Sequence, residues 1–298
     1  MAPRIVISAS RRTDIPAFYM DWFMDRIEKG CFETVNPFNG KTSMVPATPE
    51  AVHTIVFWSK NFDPFIRGGY GNILAQKGFH LFFNFTINST SAILEPRIPT
   101  LADRLDQAAA LCDAFGPGTV QWRFDPICFY TTGDGSIHDN LADFDTIADR
   151  MEALSVKRCI TSFMDHYAKI RKRTAATPGF NFIDPALEKK IEILTRLKTT
   201  SPKRGITLFA CCEKAVLEAL PAGMDIAPAA CIPNRYLVNL FGGHLSFQKD
   251  RGQRTGRGCG CMVSRDIGRY QDQPCFHDCL FCYANPSCDH RTTQGARP

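Results

Sequence analysis

Short apolar runs recur along the chain with a two-residue alternation: RIVISAS (4–10), ETVNP (33–37), TIVFWSK (54–60), HLFFNFTIN (80–88), TVQWRFDPI (119–127), CITSFMD (159–165) and GITLFACC (205–212). β-Branched and aromatic residues fill them, which predicts strands. Between them the apolar period lengthens to that of a helix. Leu101, Leu105, Ala108, Leu111, Cys112 and Phe115 share one helical face. Leu187, Ile191, Leu194 and Leu197 share another, behind Asp184 as N-cap and Pro185 at the first helical position. Strand and helix patterns in alternation predict an α/β fold with a largely parallel sheet.

Two strands carry a further signal. In the fourth run Asn84, Thr86 and Asn88 oppose Phe83, Phe85 and Ile87; in the fifth Gln121, Arg123 and Asp125 oppose Trp122 and Phe124. If helices cover the aromatic face, the polar face must point into a cleft or lumen. This predicts a partial or complete parallel TIM-like (β/α) barrel with a polar lumen, the alternative being a surface strand with one solvated face. The barrel core is expected over residues 1–221. A Gly-, Pro-, Cys- and Arg-rich segment over 222–290, with one short helix at 236–241, is expected to pack on it, and 291–298 lacks periodicity and reads as a flexible tail.

Composition changes little of this. Hydrophobic residues at 44% and charged residues at 22% suit a globular chain with a substantial core. The first apolar run is broken by Ser8, Ser10, Arg11 and Arg12, so neither a signal peptide nor a membrane span is expected, and the location expected is cytoplasmic. The net charge of +5 is modest, but Lys249, Arg251, Arg254, Arg257, Arg265 and Arg269 crowd one stretch. That stretch is either a solvated basic face or a site for an anionic substrate or nucleic acid.

Cysteine usage is more telling: of 13 cysteines, seven fall in the last 70 residues. In a reducing compartment this argues for metal ligation over disulfides, whereas Cys31, Cys112, Cys128 and Cys159 sit in apolar surroundings as core residues. Cys275, Cys279 and Cys282 stand in the spacing CxxxCxxC. Three thiolates can hold three irons of a [4Fe–4S] cube and leave the fourth open for the amino and carboxylate groups of S-adenosylmethionine. The alternative is a structural zinc knuckle completed by Cys288. Cys211, Cys212, Cys231, Cys259 and Cys261 form a second set, and Cys212, Cys231, Cys259 and Cys261 could supply four thiolates to an auxiliary iron–sulfur cluster; a zinc site and reduced core cysteines are its rivals.

The chain resembles a known family through ISASRRTDIPAFY (7–19), NPFN (36–39), FWSKN (57–61), WRFDPI (122–127), SFMDHYAKI (162–170), CGCMVSRDIGRY (259–270) and CFHDCLFCYAN (275–285). It is similar to an uncharacterised bacterial family of unknown function whose members carry a C-terminal cysteine cluster like the N-terminal one of radical S-adenosylmethionine enzymes. The resemblance covers residues 4–286. It implies a barrel enzyme whose cluster loop comes last, a permuted order. The GGE element common in that superfamily is absent, since Gly68–Gly69 and Gly242–Gly243 are followed by Tyr70 and His244.

The expected function is reductive cleavage of S-adenosylmethionine to start radical chemistry on a polar, anionic small molecule, with a reductase or ferredoxin-type electron donor. Barrel catalysis sits at C-terminal strand ends, which selects Arg12, Asp14, Lys60, Arg123, Asp125 and Asp165 as catalytic candidates. Asn84, Glu213, Phe281 and Tyr283 are candidates for holding the cofactors, the two aromatics by shielding the cluster or packing on adenine. His166 and Lys169 are proton-donor candidates with a structural role as the alternative, and Arg123 with Asp125 also reads as a buried ion pair. The rival functions are a nucleic-acid-directed radical lyase or repair enzyme and a non-catalytic zinc-stabilised binding module.

Overall fold

A computed structural model of the chain describes residues 4–35, 40–175 and 177–284. NPFN, Cys288 and the expected tail lie outside them. The strands are β1 (Ile5–Ala9), β2 (Cys31–Val35), β3 (Thr42–Pro46), β4 (Val52–Ser59), β5 (His80–Thr86), β6 (Val120–Ile127), β7 (Phe129–Thr131), β8 (Ile137–Asp139), β9 (Arg158–Phe163), β10 (Asn181–Ile183), β11 (Thr207–Ala210), β12 (Ala227–Pro228) and β13 (Arg265–Asp266).

Eight of them form one sheet in the order β12-β11-β9-β6-β5-β4-β1-β13, with every neighbouring pair parallel. From β1 to β12 the order follows the chain, so the sheet is wound in one direction. Such parallel crossovers share one hand and deliver their helices to one face. Phe23, Phe65, Leu111, Ile147, Leu194 and Val216, from successive crossovers, accordingly pack in a single core with Ile7, Phe57, Phe83, Phe85, Trp122 and Leu208. Trp122 and Phe83 are fully buried there, each contributing roughly 1.5–3 kcal/mol by area.

Several expectations are corrected. The sheet is open: β12 and β13 are its two edges, so no closed barrel forms. Of the run 33–37, residues 33–35 belong to β2, which among the described residues pairs with β3 as an antiparallel hairpin and not with the main sheet. Asp184 is not an N-cap, because the helix Leu187–Thr200 starts behind Ala186, and Asp184 instead pairs with Lys190 at 2.6 Å. The segment after 222 contributes both sheet edges, β12 and β13, and the helix Asn234–Phe241.

The face opposite the helices is divided. Val6, Val56 and Phe82 pack against Ile232 and Leu237. Farther along the strands polar side chains take over. Arg158 Nε donates to Gln121 Oε1 (2.9 Å), Gln121 Nε2 to Asn84 Oδ1 (2.7 Å), and Asn84 Nδ2 to the Cys231 carbonyl (2.9 Å). Both amides are fully buried, and this relay satisfies them while tying the Cys231 loop to the sheet.

Candidate active site

A cavity of about 240 Å³ opens where the parallel strands end. Arg11 follows β1, Trp58 and Lys60 close β4, Thr86 ends β5, and Arg123 and Asp125 come from the end of β6. Carboxyl ends of parallel strands are the usual place for a site, since the loops there are free to vary without disturbing the sheet. Eight cysteines from the two sequence groups line this same cavity.

Cys275, Cys279 and Cys282 are presented by a loop with many anchors. Arg173 Nη1 reaches the carbonyls of Cys279 (3.1 Å), Leu280 (3.1 Å) and Cys282 (2.9 Å). Leu280 N donates to the Leu94 carbonyl at 2.9 Å, and the Tyr19 hydroxyl to the Pro274 carbonyl at 2.6 Å. His277 Nε2 meets Asp14 Oδ2 at 2.8 Å. Cys279 and Phe281 are buried with Leu94, Met164 and Phe180. Burial first, then the charge of Asp14 and the neighbouring Cys282, pushes the Cys275 thiol up. Burial likewise raises Cys279, against the opposing charge of Lys60.

Lys60 is held in an ion pair with Glu95 and sits 5.2 Å from the Phe281 ring centre. Burial pulls its pKa down, but the charges of Glu95 and Cys279 outweigh this and leave it raised. Arg123 pairs with Asp125, whose other oxygen accepts from Ser162. Burial alone would raise the Asp125 carboxyl, yet Arg123 and Ser162 hold it below its ordinary value.

The opposite wall is made of thiols. Cys211 and Cys212 sulfurs are 3.7 Å apart. Side-chain contacts continue from Cys211 to Cys231 and Cys259, and from Cys261 to Cys231 and Cys259. Contact with Cys211, then burial, leaves Cys231 pushed up to about 12 despite the opposing contact with Cys261. Cys259 is pulled down because Cys211, Cys212 and Cys261 all donate to it. Among the described residues no disulfide links two cysteines, and no three His, Cys, Asp or Glu side chains are grouped about one metal ion's position.

A family model described as "Domain of unknown function (DUF1848)" matches residues 6–284. The chain belongs to the DUF1848 family. No curated protein and no solved structure matches it. Among the described residues of this DUF1848 chain no helix is long and apolar enough to cross a membrane.

The sequence candidates of the DUF1848 chain divide into two groups. Asp14, Lys60, Arg123, Asp125, Asp165, Phe281 and Tyr283 line the cavity with the cysteines. Asp14 is saturated, accepting from Ala17 N (3.0 Å), the Ser59 hydroxyl (2.9 Å), Lys60 N (3.0 Å) and facing His277, which marks a positioning role. Asp165 is taken by Arg254 and by Arg257 at 2.5 Å, so part of the basic stretch turns inward. Tyr283 stands at the rim, 40% exposed, with Lys169 5.6 Å from its ring centre.

Arg12, Asn84 and Glu213 lie elsewhere. Strand alternation placed Arg12 inside, but β1 ends at Ala9; Arg12 Nη1 donates to the Gly268 carbonyl at 3.0 Å, and its neighbour Arg11 turns into the cavity. Asn84 is consumed by the Cys231 carbonyl beneath the thiols. Glu213 accepts from Phe163 N at 2.8 Å in an adjoining cavity of about 140 Å³, which also takes His166. Arg11, Trp58, Glu95, Arg173 and Arg254 escaped sequence reasoning. Arg11 and Trp58 lie inside the motifs ISASRRTDIPAFY and FWSKN and Arg254 inside the basic stretch, whereas Glu95 and Arg173 carried no signal.

Proposed function

We propose that this chain is a radical S-adenosylmethionine enzyme acting on a polar, anionic small molecule, with Cys275, Cys279 and Cys282 as ligands of a [4Fe–4S] cluster. The observation that supports this most is the meeting of a CxxxCxxC triplet with charged side chains in one cavity at the strand ends. In this reading the singly wound sheet is a partial barrel whose cluster loop comes last in the chain.

The donor set fits the group. Three soft thiols line one cavity, and two of them, Cys279 and Cys282, pack with Leu94, Met164 and Phe281. Burial keeps Cys275 and Cys279 as neutral thiols, so binding a cluster would require that they release their protons. Cys275, Cys279 and Cys282 would hold such a cluster, which when bound and reduced would supply the electron for reductive cleavage of the S-adenosylmethionine sulfonium and so for hydrogen abstraction from substrate.

The chain's own residues position and screen. Arg173 fixes the loop by its carbonyls, Phe281 excludes water, and Lys60 sets a positive charge beside Cys279. Arg11, Lys60, Arg123 and Arg254 face the cavity with Asp14, Asp125 and Asp165, and an anionic substrate would bind by sharing guanidinium donors now paired with those carboxylates. A reductase or ferredoxin-type protein would supply the electron.

The test is anaerobic reconstitution with iron and sulfide, reduction, and measurement of methionine and 5′-deoxyadenosine released from S-adenosylmethionine. Release should stop in the Cys275→Ser/Cys279→Ser/Cys282→Ser variant. Undiminished release by that variant, or none by the iron-loaded wild type under reduction, overturns the reading.

A further inference from the structure

We infer that Cys211, Cys212, Cys231, Cys259 and Cys261 form a second metal site, which takes an iron–sulfur cluster on the cavity wall facing Cys275, Cys279 and Cys282. Sequence spacing offered only a CC pair, a lone cysteine and a CxC. The fold gathers them from three separate stretches into one group that packs with Ile160, Trp58 and Phe209.

Three features of the backbone serve this gathering. Adjacent residues of an extended chain point to opposite sides, yet the Cys211 and Cys212 sulfurs lie together at 3.7 Å. Cys212 achieves this in the left-handed region, with φ +61°, which is uncommon and unfavourable for a residue with a Cβ. Gly260, between Cys259 and Cys261, donates its N–H to the Ala229 carbonyl at 2.9 Å, and a Cβ there would stand 2.8 Å from that same oxygen. Glycine is therefore what lets the CxC loop approach the strand end. Finally, the carbonyl of Cys231 is fixed by the buried Asn84 amide.

The surroundings are cationic. Arg123 Nη1 lies 2.8 Å from the Cys231 sulfur, and Arg11 lies against Cys261. The two guanidinium groups stand 4.9 and 5.1 Å from the Trp58 ring centre. Both side chains are only 11% exposed, and Arg123 Nε and Arg11 Nη2 are buried without a hydrogen-bond partner. Arg123 is ion-paired with Asp125 and Arg11 stands 3.9 Å from Asp266, so it is the two unpartnered donors that are costly as they stand and that a thiolate-bound cluster, whose net charge is negative, would complement. Ligation releases the thiol protons to solvent, and the guanidinium charges remain. Among the described residues no three of these thiols are grouped about a single ion's position. Five thiols exceed the four of a closed zinc site, and a cluster divides its thiolate ligands among several irons.

The site is independent of the reading at Cys275, Cys279 and Cys282, and the experiment separates the two. The full chain is reconstituted anaerobically with iron and sulfide as wild type, as the Cys275→Ser/Cys279→Ser/Cys282→Ser variant, and as Cys231→Ala/Cys261→Ala. Iron and sulfide per chain, zinc, and the reduced-state paramagnetic signal are measured, with circular dichroism confirming the fold. Each variant should hold about half the iron of wild type. The serine variant should keep a signal that S-adenosylmethionine does not perturb. Wild-type iron unchanged by Cys231→Ala/Cys261→Ala in a folded protein, an iron-free serine variant, or zinc in place of iron there, overturns the proposal. Because alanine at 231 and 261 could unfold the chain, Arg123→Met is made as well. It should shift the signal of the serine variant, and an unchanged spectrum counts equally against the site.

Discussion

Glu213, a candidate for holding cofactor, accepts from Phe163 N in the cavity adjoining the cysteines, and its setting there gives it a testable property. Burial, above all, pushes its carboxyl from the ordinary 4.5 up to about 7. A carboxyl that keeps its proton more tightly in the folded state stabilises the fold fully below the unfolded value and loses that contribution as the pH rises through the folded one. The loss should therefore fall between about pH 4.5 and 7. Glutamine would keep the oxygen that accepts from Phe163 N at 2.8 Å while removing the titration. The melting temperature of wild type relative to Glu213→Gln should drop across that window and level off by about pH 8. A difference independent of pH would show that Glu213 titrates normally.

The loop over 274–283 has no regular structure of its own, so its placement depends on a few donors, and Arg173 is the foremost of them. One guanidinium nitrogen, with two N–H groups, is shared among three loop carbonyls, so the contacts together are worth about 1.5–3 kcal/mol, as for one good hydrogen bond from a charged donor. Arg173→Met keeps a long side chain on the helix Ala168–Thr174 but removes those contacts. Iron retained after reconstitution should fall several-fold, while the melting temperature moves by only a few degrees because the sheet core is untouched. Equal losses in fold and iron would mean that Arg173 supports the whole domain. Nothing in the sequence pointed to this residue, since a basic side chain in a short helix carries no pattern until its loop partner is known. The strands were legible because β4 and β5 are largely buried on both faces while β6, β9 and β11 bury their alternate apolar positions, so β-branched and aromatic residues recur through all five. Alternation also placed Arg123 and Asp125 correctly inside. It failed for Arg12 because a period of two holds only while the strand lasts, and β1 stops three residues earlier, at Ala9. The β2–β3 hairpin was missed as a pair because Thr42–Pro46 is largely exposed and carries little apolar signal. The two cysteine groups were visible as spacings, but their meeting at one cavity is a property of the winding.

At the scale of the molecule, a core over 1–221 with a separate cysteine-rich segment packed on it describes the sequence better than it describes the packing. The later segment supplies β12 at one edge of the sheet and β13 at the other. Asp266 in β13 accepts from Ser8 Oγ (2.8 Å), Ser10 Oγ (2.7 Å) and Arg11 N (2.8 Å), locking the end of β1. Ile232 and Leu237 cover Val6, Val56 and Phe82, three side chains that are at most 1% exposed. Removing that cover exposes about 1.5–3 kcal/mol of burial for each of them, and it strips the buried Asn84 amide of its Cys231 acceptor, at a further cost of roughly 1–3 kcal/mol. Together these losses rival the whole stability of an ordinary domain, about 5–15 kcal/mol. A chain ending at residue 221 should therefore lack near-ultraviolet circular dichroism, bind a hydrophobic dye and show no cooperative melt, whereas the full chain melts in one transition. A cooperative transition in the shortened chain, with near-native dichroism, would show that the first 221 residues fold alone and that the cysteine-rich segment is an accessory to them.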